Sequence, residues 1–193
     1  MPRVKTVTKK QAILEAAARV FAAKEFHQVL IDDVAAEAGV GKGTIYRYFE
    51  TKEDLYFDTV LDVLDHLKRL LLATLPEETS PTRRLERIAR EILQLALQRR
   101  HLFTLLQADE RRFFGREDEI GRRREAIQKI VQQAILDGIE RGEFRGIDAR
   151  IGAQLFRGMI RAAACFRHED DTTQDLTAQI VGIFTRGVVK AAR

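Results

Sequence analysis

The 193-residue sequence predicts an all-α protein, a small three-helix head on a larger helical bundle, with about nine helices in all. Three observations predict it. Only 3 prolines and 12 glycines interrupt the chain, and the strong helix formers Ala, Leu, Arg, Glu and Gln are abundant. Apolar residues recur at three- and four-residue spacing through most of the chain. No window alternates for long in the manner of a strand. With 45% hydrophobic and 32% charged residues, the chain has enough apolar side chains for a core beneath a charged surface.

Thr8 and Gln11 have capping-box spacing and open a first helix that runs to about Lys24. Ile13, Ala17, Val20 and Phe21 form its inward face. A second helix carries Asp32 and Asp33 in its first turn, where the helix dipole favours negative charge, and Val34, Ala35 and Ala38 on its buried side. Gly39 ends it, because a sharp turn out of a helix needs a residue that tolerates positive φ. Val40 then fills the angle before a third, short helix. Gly41 and Gly43 flank Lys42 and leave the backbone free of bulk at the start of that helix. Ile45 and Phe49 point inward, Tyr46 straddles the edge, and Thr44, Arg47 and Tyr48 point out.

A short helix, a glycine turn and a second short helix with a polar, basic and aromatic face have the form of a DNA-reading helix-turn-helix. Lys42, Thr44, Tyr46 and Tyr48 carry donors for phosphate oxygens. Arg47 and Lys42 can also reach guanine edges in the major groove, and Lys52 adds a phosphate contact. The same pattern also fits an ordinary helical hairpin with a solvated polar face.

Thr51, with Asp54 three residues on, caps a long helix from about Lys52 to Leu72, with Leu55, Thr59, Leu61, Leu64, Leu67 and Leu71 on its buried side. The stretch from Leu75-Pro76 to Ser80-Pro81 is the clearest break. Further helices are expected at about 82–98, 101–113 and 118–141. Gly142 and Gly146-Ile147-Asp148 mark the next turn. The last two helices, about 148–167 and 173–191, are split by His168-Glu169-Asp170-Asp171. The expected domains are therefore residues 1–50, the helix-turn-helix head, and 51–193, the body.

Ile151, Leu155, Met159, Ala162 and Phe166 line one face of the penultimate helix. Leu176, Ile180, Phe184 and Val188 recur every four residues in the last, with Ile183 beside them. Two such hairpins can form a four-helix bundle between subunits, or both helices can simply pack on their own core. The aromatic residues Phe57, Phe103, Phe113, Phe114, Phe156 and Phe166, with Leu106, Met159 and Cys165, either make core or line an apolar pocket between helices. In the second case Phe103, Leu106, Phe114, Phe156, Met159 and Phe166 are the candidate ligand contacts. An arginine at the pocket mouth, Arg157 or Arg161, would suit a hydrophobic carboxylate or thioester.

The net charge is +4 and the pI about 9.4. Residues 1–55 hold 9 Lys or Arg against 8 Asp or Glu, a net of only +1. A DNA site here must come from where the charges stand, not from their sum. Arg3, Lys5, Lys9 and Lys10 form an arm that could follow a DNA backbone or remain a solubilising terminus. Cys165 is the only cysteine, which points to a reducing cytoplasm. No export or membrane-spanning segment is expected. His27, His66, His101 and His168 are isolated, and none pairs with Cys165 at metal-ligand spacing. Gly41-Lys42-Gly43-Thr44 lacks the earlier glycine and the preceding strand of a phosphate-binding loop. Without a convergent acid, base or metal set, neither an enzyme nor a cofactor is expected. The arginines at 111–112 and 122–124 alternate with acids and read as a solvated face.

The head resembles the DNA-binding domain of the TetR family of bacterial transcriptional regulators. Val34-Ala35, Ala38-Gly39-Val40, Gly41, Gly43-Thr44, Ile45-Tyr46, Tyr48-Phe49, Lys52 and Leu55 carry the resemblance, over about the first quarter of the chain. It implies DNA contacts at Lys42, Gly43, Thr44, Tyr46, Arg47, Tyr48 and Lys52, an effector pocket in the body, and a homodimer through the last two helices, with Leu155, Met159, Leu176, Ile180, Phe184 and Val188 at the interface. Such a dimer, with its heads roughly 34–36 Å or a multiple apart, would read a palindromic operator in double-stranded DNA. The expected function is thus a ligand-responsive regulator, a repressor released by a small hydrophobic effector. The alternative is a helical module whose head binds a protein. Three positions depart from the family. Glu25 stands where a glycine is frequent. Val29 and Leu30 stand where Thr or Ser caps the second helix and touches phosphate. Gly41 stands where a serine is common. Asp32 or a rearranged turn is expected to replace the missing cap.

Overall fold

A computed structural model describes residues 8–74, 80–99, 103–105, 116–168 and 170–188. Every regular element among them is helical: α1 (Lys9–Ala23), a 3₁₀ turn (Phe26–Gln28), α2 (Ile31–Ala38), α3 (Lys42–Tyr46), α4 (Lys52–Thr74), α5 (Pro81–Gln98), α6 (Glu117–Glu140), α7 (Ala149–Phe166) and α8 (Thr173–Val188). Residues 103–105 are also helical; the rest of the helix expected at 101–113 lies outside the described residues. The chain forms two compact units, residues 1–65 with 100–121, and residues 66–99 with 122–193. The three-helix head expected over residues 1–50 lies in the first unit together with the first part of α4.

In the first unit Thr8 caps α1 by accepting the Gln11 backbone N–H at 3.2 Å. The reciprocal half of the expected capping box is missing, because the Gln11 amide instead donates to Asp62 at 3.0 Å. Ile13, Ala17 and Phe21 are buried as the periodicity requires, joined by Leu14, Ala16 and Ala18, while Val20 is only half-buried. Tyr56 meets Phe21 and Phe26 edge to face, its ring centroid 4.9 Å and 5.2 Å from theirs, and the two phenylalanine rings stack at 5.9 Å. Gly39 sits at φ 64°, and the amides of Gly39 and Val40 return to the carbonyls of Ala36 and Ala35. That closure ends α2 and sets the angle at which α3 leaves. α4 opens on a complete reciprocal cap: the Asp54 amide donates to the Thr51 hydroxyl oxygen at 3.0 Å, and the Thr51 amide to the Asp54 carboxylate at 3.2 Å.

In the second unit α5 packs against α7 and α8, and those two pack on each other. Pro81 occupies the first turn of α5, where its missing N–H costs nothing. The Arg84 guanidinium joins Asp137 on α6 in a close ion pair, and Gln133 steadies the same carboxylate at 2.8 Å. Past the end of α6, Gly142 at φ 71° turns the chain back. The Phe144 amide then donates to the Gly138 carbonyl at 3.0 Å. Asp148 caps α7, accepting from the amides of Arg150 and Ile151. Phe156 is fully buried and meets Phe184 edge to face at 5.0 Å.

Candidate nucleic-acid interface

The outward face of the turn and α3 is built from a few short-range decisions. Ile45 and Phe49 are 1% and 3% exposed. Anchoring those two residues turns Lys42, Gly43, Tyr46, Arg47 and Tyr48 to solvent, with Thr44 half-buried beside them. The chain keeps a helical twist past Tyr46, since the amides of Tyr48 and Phe49 both reach the Ile45 carbonyl. Arg47 lies 5.5 Å from the centre of the Tyr48 ring, which leaves its guanidinium edges free to donate. At Gly41 and Gly43 an added Cβ would meet nothing within 4 Å. Packing inside the protein therefore does not demand glycine there, and the bare backbone suits close approach by an outside group.

The surrounding charges are mostly paired. Arg19 bonds Glu37 at 2.6 Å, Lys24 bonds Asp33 at 2.7 Å, Lys10 bonds Asp58 at 3.2 Å, and Lys42 bonds Asp32 at 2.8 Å. The Asp32 carboxylate raises the Lys42 pKa above its ordinary value. The Lys24 ammonium, with help from the Leu30 amide, lowers that of Asp33. The near-neutral head is thus neutral locally as well.

Two expectations need revision here. No side chain takes the place of the missing hydroxyl cap of α2: the Asp33 amide turns back to the Leu30 carbonyl at 3.1 Å, the Asp33 carboxylate accepts the Leu30 amide at 3.3 Å, and Asp32 reaches across the turn to Lys42. Lys52 does not project as a free phosphate donor. Its ammonium donates to the carbonyls of Phe26 and Val29 at 2.9 Å and 3.1 Å and covers the Phe26 ring. It fixes the segment leading into α2, so its effect on the interface is one of positioning. The sequence carries no periodic signal for the contact of Lys42 with Asp32 or of Lys52 with Phe26, because these join residues ten or more apart.

A family model of bacterial regulatory proteins of the tetR family matches residues 13–59, and a model of the tetracyclin repressor-like C-terminal domain matches residues 78–188. The chain belongs to the TetR family. Like other members of that family it is a DNA-binding transcriptional regulator. Among relatives of this TetR-family protein is the fatty acid metabolism regulator protein of Bacillus subtilis, 25% identical over 172 residues, which cover 88% of this chain and 89% of that one. The structure of FadR from B. subtilis in complex with stearoyl-CoA superposes with a TM-score of 0.80 at 22% identity, covering 92% of this chain and 98% of the other. AibR in complex with isovaleryl coenzyme A and operator DNA gives a TM-score of 0.78 at 21% identity, with 91% and 97% covered. These two superpositions establish the shared fold.

The body of this TetR-family chain sorts the remaining candidate residues. Leu106 and Phe114 lie outside the described residues, as does Phe113. Phe103 is buried in the first unit, and Phe156 is buried in the second. Met159 is half-buried. Phe166 is 84% exposed, so it lines no interior pocket. Arg157 and Arg161 are exposed on α7.

The interface candidates also divide. Leu155 is 61% exposed, whereas Leu176, Ile180 and Phe184 are buried inside their own protomer. Among the described residues, the large apolar side chains that α7 and α8 present outward are Ile151, Leu155, Phe166 and Ile183. The side chain of Val188 lies outside the described residues. Among the described residues no helix is long and apolar enough to cross a membrane.

Proposed function

We propose that this TetR-family regulator is a cytoplasmic homodimeric repressor that binds a palindromic operator through Lys42, Gly43, Thr44, Tyr46, Arg47 and Tyr48, and that an acyl-coenzyme A thioester releases it. The outward face of residues 42–48 carries the DNA part of this reading: the exposed donors of Lys42, Tyr46, Arg47 and Tyr48 stand beside two glycines that packing does not require. The effector class is supported by two proteins of similar fold, one bound to stearoyl-CoA and one to isovaleryl coenzyme A with operator DNA. The exposed apolar groups Ile151, Leu155, Phe166 and Ile183 supply a surface for a second copy. The protein acts by binding, and an effector can empty the operator only by its higher affinity for the non-binding state.

Selection of bound duplexes from a random pool tests the DNA reading. An enriched inverted repeat is expected, and absence of enrichment overturns it in favour of a head that binds protein. Titrating long-chain and branched-chain acyl-CoA into the selected complex tests the effector, with free coenzyme A and free fatty acid as controls. Release by a thioester and by neither control is expected. Complexes that ignore every thioester overturn the effector class and leave the DNA reading standing.

A further inference from the structure

Lys42 is the first residue of α3 and the one ammonium among the assigned DNA contacts that projects from the reading helix. It is not idle in the free protein. Asp32, in the first turn of α2, holds its Nζ at 2.8 Å, and both side chains are half or more exposed, 50% for Lys42 and 63% for Asp32. The neighbouring acid, Asp33, is committed to Lys24 and to the Leu30 amide, so the acid that turns toward Lys42 is Asp32 alone. Leu30, which precedes the pair, offers no hydroxyl to a phosphate and is 61% exposed.

Resting on the DNA reading above, we infer that Asp32 is an affinity-setting residue, a latch that occupies Lys42 in the free protein and must be displaced before Lys42 can meet a phosphate. A phosphate and the Asp32 carboxylate compete for the same three ammonium protons. An exposed pair of this kind is weak enough to be displaced, yet strong enough to reduce affinity measurably. Its ionic signature is specific. Salt that weakens the contact of Lys42 with a phosphate also screens the Lys42–Asp32 pair that competes with it, so the latch blunts the salt dependence that Lys42 contributes. With a neutral residue at 32 that blunting is gone. Holding operator affinity down also lowers, by the same factor, the differential affinity an effector needs to empty the operator.

The test compares wild type, Asp32→Asn, Lys42→Gln and the double variant of the full chain on one duplex selected by the wild type, across a range of potassium chloride concentrations. Asp32→Asn is expected to bind about two- to fivefold more tightly. The slope of log affinity against log salt should steepen, by no more than about 0.9. Both changes should be larger when Lys42 is present than in the Lys42→Gln background. Unchanged affinity in Asp32→Asn overturns the latch, and equal gains in both backgrounds overturn it too, since Asp32 would then act only as a repelling charge. Wild type that binds no duplex in a salt-dependent way overturns the DNA reading itself, and the latch with it. The exposed, nearly isosteric Asp32→Asn change leaves the buried core untouched, and its unfolding midpoint verifies that.

Discussion

Lys52 Nζ stands 2.9 Å from the Phe26 carbonyl oxygen and 4.5 Å above the centre of the Phe26 ring. With the Val29 carbonyl also in reach, the ammonium ties the first turn of α4 to the 3₁₀ turn that leads into α2. Charged hydrogen bonds in a half-buried setting stabilise a fold more than exposed ion pairs do. Lys52→Met, which keeps the stem and removes the donors, should therefore lower the free energy of unfolding by about 1–2 kcal/mol. Lys42→Gln, which loses only an exposed pair, should change it by less than about 1 kcal/mol. Urea titrations of the two variants check the contrast, and equal losses would contradict the separate roles given to these lysines.

Glycines 39 and 138 are required for different reasons, and alanine at each should show it. At Gly39 the backbone is left-handed and nothing lies within 4 Å of an added Cβ, so Gly39→Ala should cost about 1–2 kcal/mol from backbone strain alone. Asparagine there should cost less. At Gly138 the added Cβ would fall 2.2 Å from the ring of Phe144, itself 3% exposed. Gly138→Ala should cost about 1–3 kcal/mol through overpacking, and Phe144→Leu should recover part of that loss. Thermal or urea unfolding of the three variants and the double variant measures both effects.

Leu155 and Ile180 test which faces of α7 and α8 meet a second subunit. Leu155 is 61% exposed and Ile180 5%. Leu155→Arg should yield folded monomers in sedimentation velocity and weaken binding to an inverted repeat. Ile180→Ala should instead destabilise the protomer by about 2–5 kcal/mol, because it empties a packed site. A Leu155→Arg protein that remains dimeric would contradict the outward face described here.

Asp148 supplies a pH test. The amides of Ile151 and Arg150, which its carboxylate accepts, lower its pKa from the ordinary 3.8. A depressed folded pKa means that the cap's contribution is fully present above the unfolded value. It is lost as pH falls below 3.8 through the lower folded value. Asp148→Ala should therefore be less stable than wild type at neutral pH, and the gap should close only in that acid window. A gap that is constant down to the acid limit would show that the cap does not titrate.

Much of this architecture is legible in the sequence where the cause is local. Thr8 and Thr51 mark helix starts, Gly39 marks the turn, and Ile45 with Phe49 orients α3, because a cap or a four-residue spacing needs no knowledge of the rest of the chain. Contacts that cross a turn are not legible. Nothing in the spacing of residues 32 and 42, or of 26 and 52, announces that they meet. The last helix fails for another reason. It is apolar on two sides, and Leu176, Ile180 and Phe184 share their four-residue rhythm with no mark of which side faces inward. The opposing contact of Phe156 with Phe184 decides it, and leaves Ile183 outside.

The central claim is that residues 42–48 form the surface that reads DNA. Its most direct test is the affinity of wild type and Arg47→Ala for the duplex that wild type selects, at fixed salt. Arg47 has only the Tyr48 ring beside it among the contacts of this face, so its removal should spare the fold. A base-edge contact predicts a loss of about tenfold or more with an unchanged unfolding midpoint. Equal affinity in the two proteins would contradict the assignment of this face.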